Sequence, residues 1–145
     1  MPLHLLKLCV GAESIQDLVD WVAERQSEHR RRKEAAEHVH TTRMVPKRVA
    51  ELRDGGSLYW VIKGQVAARQ TLIDVRPFVD GQGISRCHLV MEPEVVPVLP
   101  RPFRPFQGWR YMTAADAPRD IAGMAGEIGE MPEVLRRELR DMGLI

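Results

Sequence analysis

Long hydrophobic runs are missing from this 145-residue chain. No stretch approaches the ~18–20 apolar residues of a membrane-spanning helix, so none is expected. The stretch Met1 to Leu8 has neither a basic leader nor a small-residue cleavage site, which predicts no signal peptide and a cytoplasmic location. Cysteine is scarce: Cys9 and Cys87 lie far apart. That excludes a disulfide-stapled scaffold and leaves two reduced, partly buried thiols. No charge sign dominates, since the net charge is +1. The balance is uneven along the chain, +4 from Trp21 to Arg53 and −3 from Asp116 to the end. A basic front permits a nucleic-acid patch without requiring one. Repeats and low-complexity linkers are absent, and the length fits one domain, 1–145, able to bury its own core.

Motifs for resident metals, cofactors and nucleophiles are missing as well. His38-x-His40 places two imidazoles on one face of a strand, and Cys87-His88 lies elsewhere. Neither has the tight ligand spacing of a zinc site, so no metal is expected. Gly81-x-Gly83 lacks the third glycine and the following helix of a dinucleotide fingerprint, and reads as a hairpin turn. Gly123-x-x-Gly126 is followed by Glu127, which would repel phosphate. No serine sits in a nucleophile elbow, and no Cys/His pair has the context of a nucleophile. No cofactor is expected.

What is present is a strong strand signal, Gly55-Gly56-Ser57-Leu58-Tyr59-Trp60-Val61-Ile62-Lys63-Gly64. Both alternating faces carry apolar groups, which predicts a strand buried on both sides. Leu3 to Val10 reads as a strand, then Ser14 caps a helix whose Ile15, Leu18, Val19 and Val22 share one face. Opposite charges four apart, Glu28/Arg32 and Lys33/Glu37, extend that helix as a solvated rod. His38 to Met44 is a short strand or extended loop, and Pro46 opens a helix through Leu52. Gly64-Gln65 turns into a return strand, Val66 to Val75, and Asp80 to Gly83 turns again into Arg86 to Met91. Pro93 to Pro105 holds five prolines and reads as a stiff, extended surface segment. A short strand between Phe106 and Met112 and a last helix from Pro132 to Met142 complete the pattern. The fold class is therefore α+β: a mostly antiparallel sheet or small β-barrel with flanking helices.

Two constellations carry candidate function. In Arg101 to Tyr111, three arginines (Arg101, Arg104, Arg110) alternate with Phe103, Phe106, Trp109 and Tyr111 on a proline-stiffened chain. Guanidinium groups pair with phosphate and exposed rings stack on bases, the chemistry of a single-stranded nucleic-acid surface. The structural alternative is rings packed on the sheet with arginines in water. The second is Thr41-Thr42-Arg43 followed by Pro46-Lys47-Arg48-Val49-Ala50-Glu51-Leu52-Arg53. A carboxylate held by an arginine can accept from a base edge while the cations take phosphate. Its alternative is an amphipathic helix with solvated charges.

The chain as a whole resembles a family of alphaproteobacterial proteins of unknown function. The stretches that carry this are Leu5 to Gly11, His40 to Met44, Gly55 to Gly64, Arg69-Gln70 and Pro105 to Tyr111. Pro46-x-Arg48-x-x-Glu51-x-Arg53 also resembles the Gly-x-Lys-x-x-Glu-x-Arg signature of the ASCH group in the PUA-like superfamily. That resemblance implies a small β-barrel with flanking helices that binds RNA or modified nucleosides, with some members amidohydrolases on acetylated cytidine. Pro46 stands where that signature has glycine and Arg48 where it has lysine, and arginine does not deprotonate.

These readings lead to a non-enzymatic module binding single-stranded RNA or a nucleotide. Arg43, Arg48, Glu51 and Arg53 would line a pocket, and Arg104, Trp109, Arg110 and Tyr111 would make an extended contact. One alternative is a small hydrolase on a modified nucleoside with Lys47, Thr42 and Glu51 as catalytic candidates. Another is a protein-interaction domain using the proline-aromatic segment.

Overall fold

The computed structural model describes residues 2–31, 37–104 and 106–121, together with 134 and 137. Its elements run β1 (Leu3–Leu8), α1 (Ile15–Arg31), β2 (His38–Thr42), α2 (Val49–Arg53), β3 (Ser57–Ile62), β4 (Gln65–Val79), β5 (Ser85–Met91), β6 (Val96–Pro102) and β7 (Trp109–Thr113). The strands form one sheet in the order β2-β5-β4-β3-β1-β7, with β6 also on β4. Every pairing is antiparallel except that of β1 with β3. The sheet is open and mixed: β2 and β7 form its two ends and do not pair. A closed barrel is thus not formed. The expected last helix falls largely outside the described residues; 134 and 137 are helical.

Local chemistry explains the elements. The Ser14 hydroxyl accepts from the Asp17 N–H at 3.2 Å, and the Asp17 carboxylate reaches back to the Glu13 N–H at 2.9 Å. This capping exchange satisfies amides that the first helical turn leaves open. All six β3 residues are buried. Leu58, Trp60 and Ile62 join the larger core cluster with Ile15, Leu18 and Val22 of α1 and Leu52 of α2. Tyr59 and Val61 join a second cluster with Leu6, Val66, Val98 and Met112 on the other face. The proline-rich segment is extended, as its composition requires. It adds to β4 as β6, with no second strand partner among the described residues, where missing N–H donors do least harm.

β4 decides the shape. Trp60 pairs with Ala68 and Val61 with Val66, so Ala67 is an extra residue. Ala67 and Ala68 consequently both join the larger cluster. Leu72 pairs with Met91 and Asp74 with Val90, so Ile73 is a second extra residue, turned outward and 37% exposed. Bulges bend a strand and raise its twist. The sheet curls around the larger cluster until its two ends meet through side chains. Trp109 Nε1 on β7 donates to the Met44 carbonyl, two residues past β2, at 2.6 Å. The Tyr111 hydroxyl accepts from the backbone N–H groups of Lys47 and Arg48 at 3.0 and 3.2 Å.

One buried polar link ties the centre to the curl. Trp60 Nε1 donates to Gln70 Oε1 at 2.9 Å, and Gln70 Nε2 donates to the Glu92 carbonyl at 3.0 Å. Gln70 is fully buried. Gln70→Leu strips the indole N–H of its buried acceptor and is expected to lower stability by about 1–2 kcal/mol, read from the urea midpoint.

Candidate functional site

The seam where the sheet fails to close holds a cavity of about 390 Å³. Lys7 enters it from β1, Thr41 and Thr42 from β2, Arg86 from β5, and Arg43 and Gly108 from the two segments that meet there. Lys7 pairs in register with Trp60 on one side and Trp109 on the other. Its burial between these strands holds the ammonium pKa below its usual value. Arg86 donates to the Asp80 carboxylate at 2.5 Å, which anchors the guanidinium to the β4–β5 turn. Arg43 is exposed and makes no ion pair among the described residues. Gly108 lies at φ +73°, a backbone angle that favours glycine; a Cβ there would also displace the exposed Met44 sulfur 2.7 Å away. Three cations line the cavity with Thr42, while the hydroxyl of the adjacent Thr41 pairs with His88 Nδ1 at 3.1 Å, and among the described residues the lining has no carboxylate.

Beside it, under α1, lies a second cavity of about 500 Å³ lined by Trp21, Trp60, His38, His40, Cys9 and neighbours. The inward face of β2 supplies the imidazoles. His40 packs edge-on to Trp60, centroids 5.3 Å apart. Burial, then the charges of Lys7, His38 and Arg25, push the His40 pKa down to about 4. The ring is therefore neutral near pH 7. Burial likewise pushes the Cys9 thiol up to about 11, which removes it as a nucleophile. Among the described residues no group of three metal-ligating side chains forms.

The structure separates the residues singled out from the sequence. Arg43 and Thr42 line the seam cavity. Arg48 and Glu51 pair with each other on the exposed side of α2, the guanidinium 5.6 Å from the Tyr111 ring centroid. Arg53 lies 3.8 Å from Asp74. The seam lining therefore brings together Arg43, Lys7 and Arg86, and does not include Arg48, Glu51 or Arg53. Lys47 is exposed, Thr42 is buried, and Glu51 does not enter the cavity that Thr42 lines. The aromatic segment splits across β7. Trp109, 7% exposed, packs into the larger cluster, with Tyr111 4.8 Å away on the same side. Arg110 stands on the opposite side over Phe106, 4.7 Å from its centroid. Arg104 is exposed. Lys7 and Arg86 escaped the sequence reading; the sole signal for Lys7 was a cation inside a strand whose only other polar residue is His4.

The chain belongs to the family described as "Protein of unknown function (DUF1489)", whose model matches residues 5–145. No curated protein and no solved structure matches it. No helix among the described residues is long and apolar enough to cross a membrane.

Proposed function

We propose that this member of a family of unknown function binds a phosphate-bearing ligand, single-stranded RNA or a nucleotide, at the seam and does not transform it. The observation that carries the reading is the convergence of Lys7 and Arg43, with Arg86 held by Asp80, on one cavity whose lining has no carboxylate among the described residues. Phosphate oxygens accept strong bonds from guanidinium and ammonium groups, and the Thr42 hydroxyl adds a neutral donor. A half-buried ammonium gains more from an arriving anion than a solvated one, because its own hydration is already reduced. The exposed Arg48 and Tyr111 extend the surface next to Met44, where a base can stack. The resemblance of Pro46 to Arg53 to the ASCH signature supports the same ligand class. Trp109, buried under Met44, contributes by shaping the wall.

The test is binding of a short single-stranded RNA and of a nucleoside monophosphate across a salt series. Arg43→Ala and Lys7→Met are each expected to weaken binding by about tenfold and to lower the salt slope by about 0.7 per lost phosphate contact. Arg110→Ala, on the far side of β7, is expected to leave the mononucleotide unaffected. Affinity that ignores salt, or that survives loss of both Lys7 and Arg43, overturns the reading.

A further inference from the structure

The face of the sheet away from α1 carries an apolar cluster at one end and a buried polar set at the other. Leu6, Val61, Val98 and Met112 form the first. His4, Ser57, Tyr59 and Arg69 form the second, beside a cavity of about 500 Å³ that Arg119 and Asp120 complete. His4 is 7%, Ser57 2% and Tyr59 4% exposed. Burying hydroxyls and an imidazole is unfavourable unless their hydrogen bonds are made.

The bonds already made define what is left over. The Ser57 backbone N–H donates to His4 Nδ1 at 3.0 Å, so a neutral imidazole carries its proton on Nε2. Burial and the nearby Arg69 charge both lower the His4 pKa, in keeping with that tautomer. Arg69 forks onto Asp120, with Nε to Oδ1 and Nη2 to Oδ2 both at 2.7 Å. Its Nη1 donates to the Ser57 hydroxyl at 3.1 Å, which occupies an oxygen lone pair and leaves the hydroxyl proton available. Since Ser57 contacts His4 through its backbone and not its hydroxyl, no serine–histidine nucleophile exists here. The Tyr59 hydroxyl makes no hydrogen bond among the described residues. One N–H of Arg69 Nη2 likewise makes no hydrogen bond among the described residues.

We propose that this cavity is a binding site for a small anion bearing a carboxylate or phosphate group, with Arg69 as its receiving cation and Asp120 as an internal stand-in for the ligand. The inventory is donor-rich: the hydroxyls of Ser57 and Tyr59, His4 Nε2–H and the spare Arg69 N–H. Among the described residues the charged groups in the lining are Arg69, Arg119 and Asp120. Asp120 already shows the required geometry, a bidentate oxyanion on the guanidinium fork. It arrives on a segment tethered by the Leu99 N–H to Arg119 carbonyl bond at 2.8 Å and by the Val98–Asp120 bridge. A free anion therefore competes with Asp120 for Arg69, or adds to the donors that Asp120 leaves unused.

The experiment titrates isotope-labelled protein with sodium succinate and, separately, with inorganic phosphate, at constant ionic strength made up with chloride. The Ser57 amide and Arg69 Nε resonances are followed. Saturable shifts with either probe, at dissociation constants of about 1 mM or below, are expected and say which anion class is preferred. Asp120→Asn removes the internal competitor and is expected to tighten binding by about tenfold, whereas Tyr59→Phe loses a donor and weakens it by about threefold to tenfold. Arg43→Ala at the seam is expected to change nothing, which separates this site from the one proposed above. The absence of saturation with both probes overturns the proposal. Binding indifferent to Tyr59→Phe does so as well, and that variant needs no rearrangement to fold.

Discussion

Gly56→Ala is expected to destabilise the protein by about 3 kcal/mol or more, enough to unfold a marginal domain. A Cβ at Gly56 would lie 2.3 Å from the Leu3 carbonyl oxygen and 2.3 Å from that of Leu52. Both obstacles are backbone and cannot swing aside. The residue is also a junction. Its N–H donates to the Leu52 carbonyl at 3.0 Å, closing α2, and its carbonyl accepts from the Leu72 N–H at 2.9 Å. Moving it displaces β1, α2 and β4 together. The measurement is the urea midpoint, with two controls. Gly81→Ala, facing open space at an ordinary backbone angle, is expected to be near neutral. Gly64→Ala also faces open space but sits at φ +75°, and is expected to cost about 1 kcal/mol. A Gly56→Ala protein as stable as the parent would show that the backbone of Leu3 and Leu52 gives way around this position.

Stability is expected to fall by about 2–3 kcal/mol as pH drops from 6.5 to about 4, with His40 as the main cause. The folded imidazole titrates only at about 4, because burial beside Trp60 and the Lys7 charge disfavour its charged form. The unfolded chain takes up that proton near the ordinary value of 6.5. Between these values the unfolded state binds more protons, so stability is complete above 6.5 and declines with falling pH through the window. His4, whose pKa is also lowered by burial, adds to the loss with the same sign. Asp80 acts in a lower window. Arg86 and two backbone N–H groups hold its carboxyl down to about 2, so its contribution is present above the ordinary value of 3.8 and fades below it. His40→Gln is expected to flatten the profile between pH 6.5 and 4 in denaturation midpoints measured across pH. An unchanged slope in that variant would place the proton uptake elsewhere.

The two effects mark how much of this molecule could be read locally. Ser57 to Ile62 declares a strand buried on both sides because alternation reports, residue by residue, which faces are apolar. The helix capped by Ser14 and the hairpin at Gly64 are equally local, since capping and turn chemistry act over a few residues. Pro46 illustrates the limit: the short helix begins at Val49 instead, because the preceding backbone is held by Tyr111 from the far end of the chain. The aromatic-arginine segment left two readings open for a related reason. Its spacing is the same whether Trp109 faces solvent or Met44, and only the partner across the seam decides.

The sequence by itself therefore determined β1, β3, β4, β5 and their apolar faces, the Ser14 cap, the turns, and a candidate basic stretch around Arg43, but not that the proline-rich segment joins the sheet as β6. The tertiary structure alone decided that β1 runs parallel to β3, that bulges at Ala67 and Ile73 curl the sheet, and that Lys7 and Arg86 join Arg43 in one cavity. It also decided that His4, Ser57 and Tyr59 meet Arg69 and Asp120 on the opposite face. The physical reason is one of range. Periodicity and turn chemistry are written in neighbouring residues, whereas strand pairing and charge convergence arise from long-range packing that no single window of the chain contains.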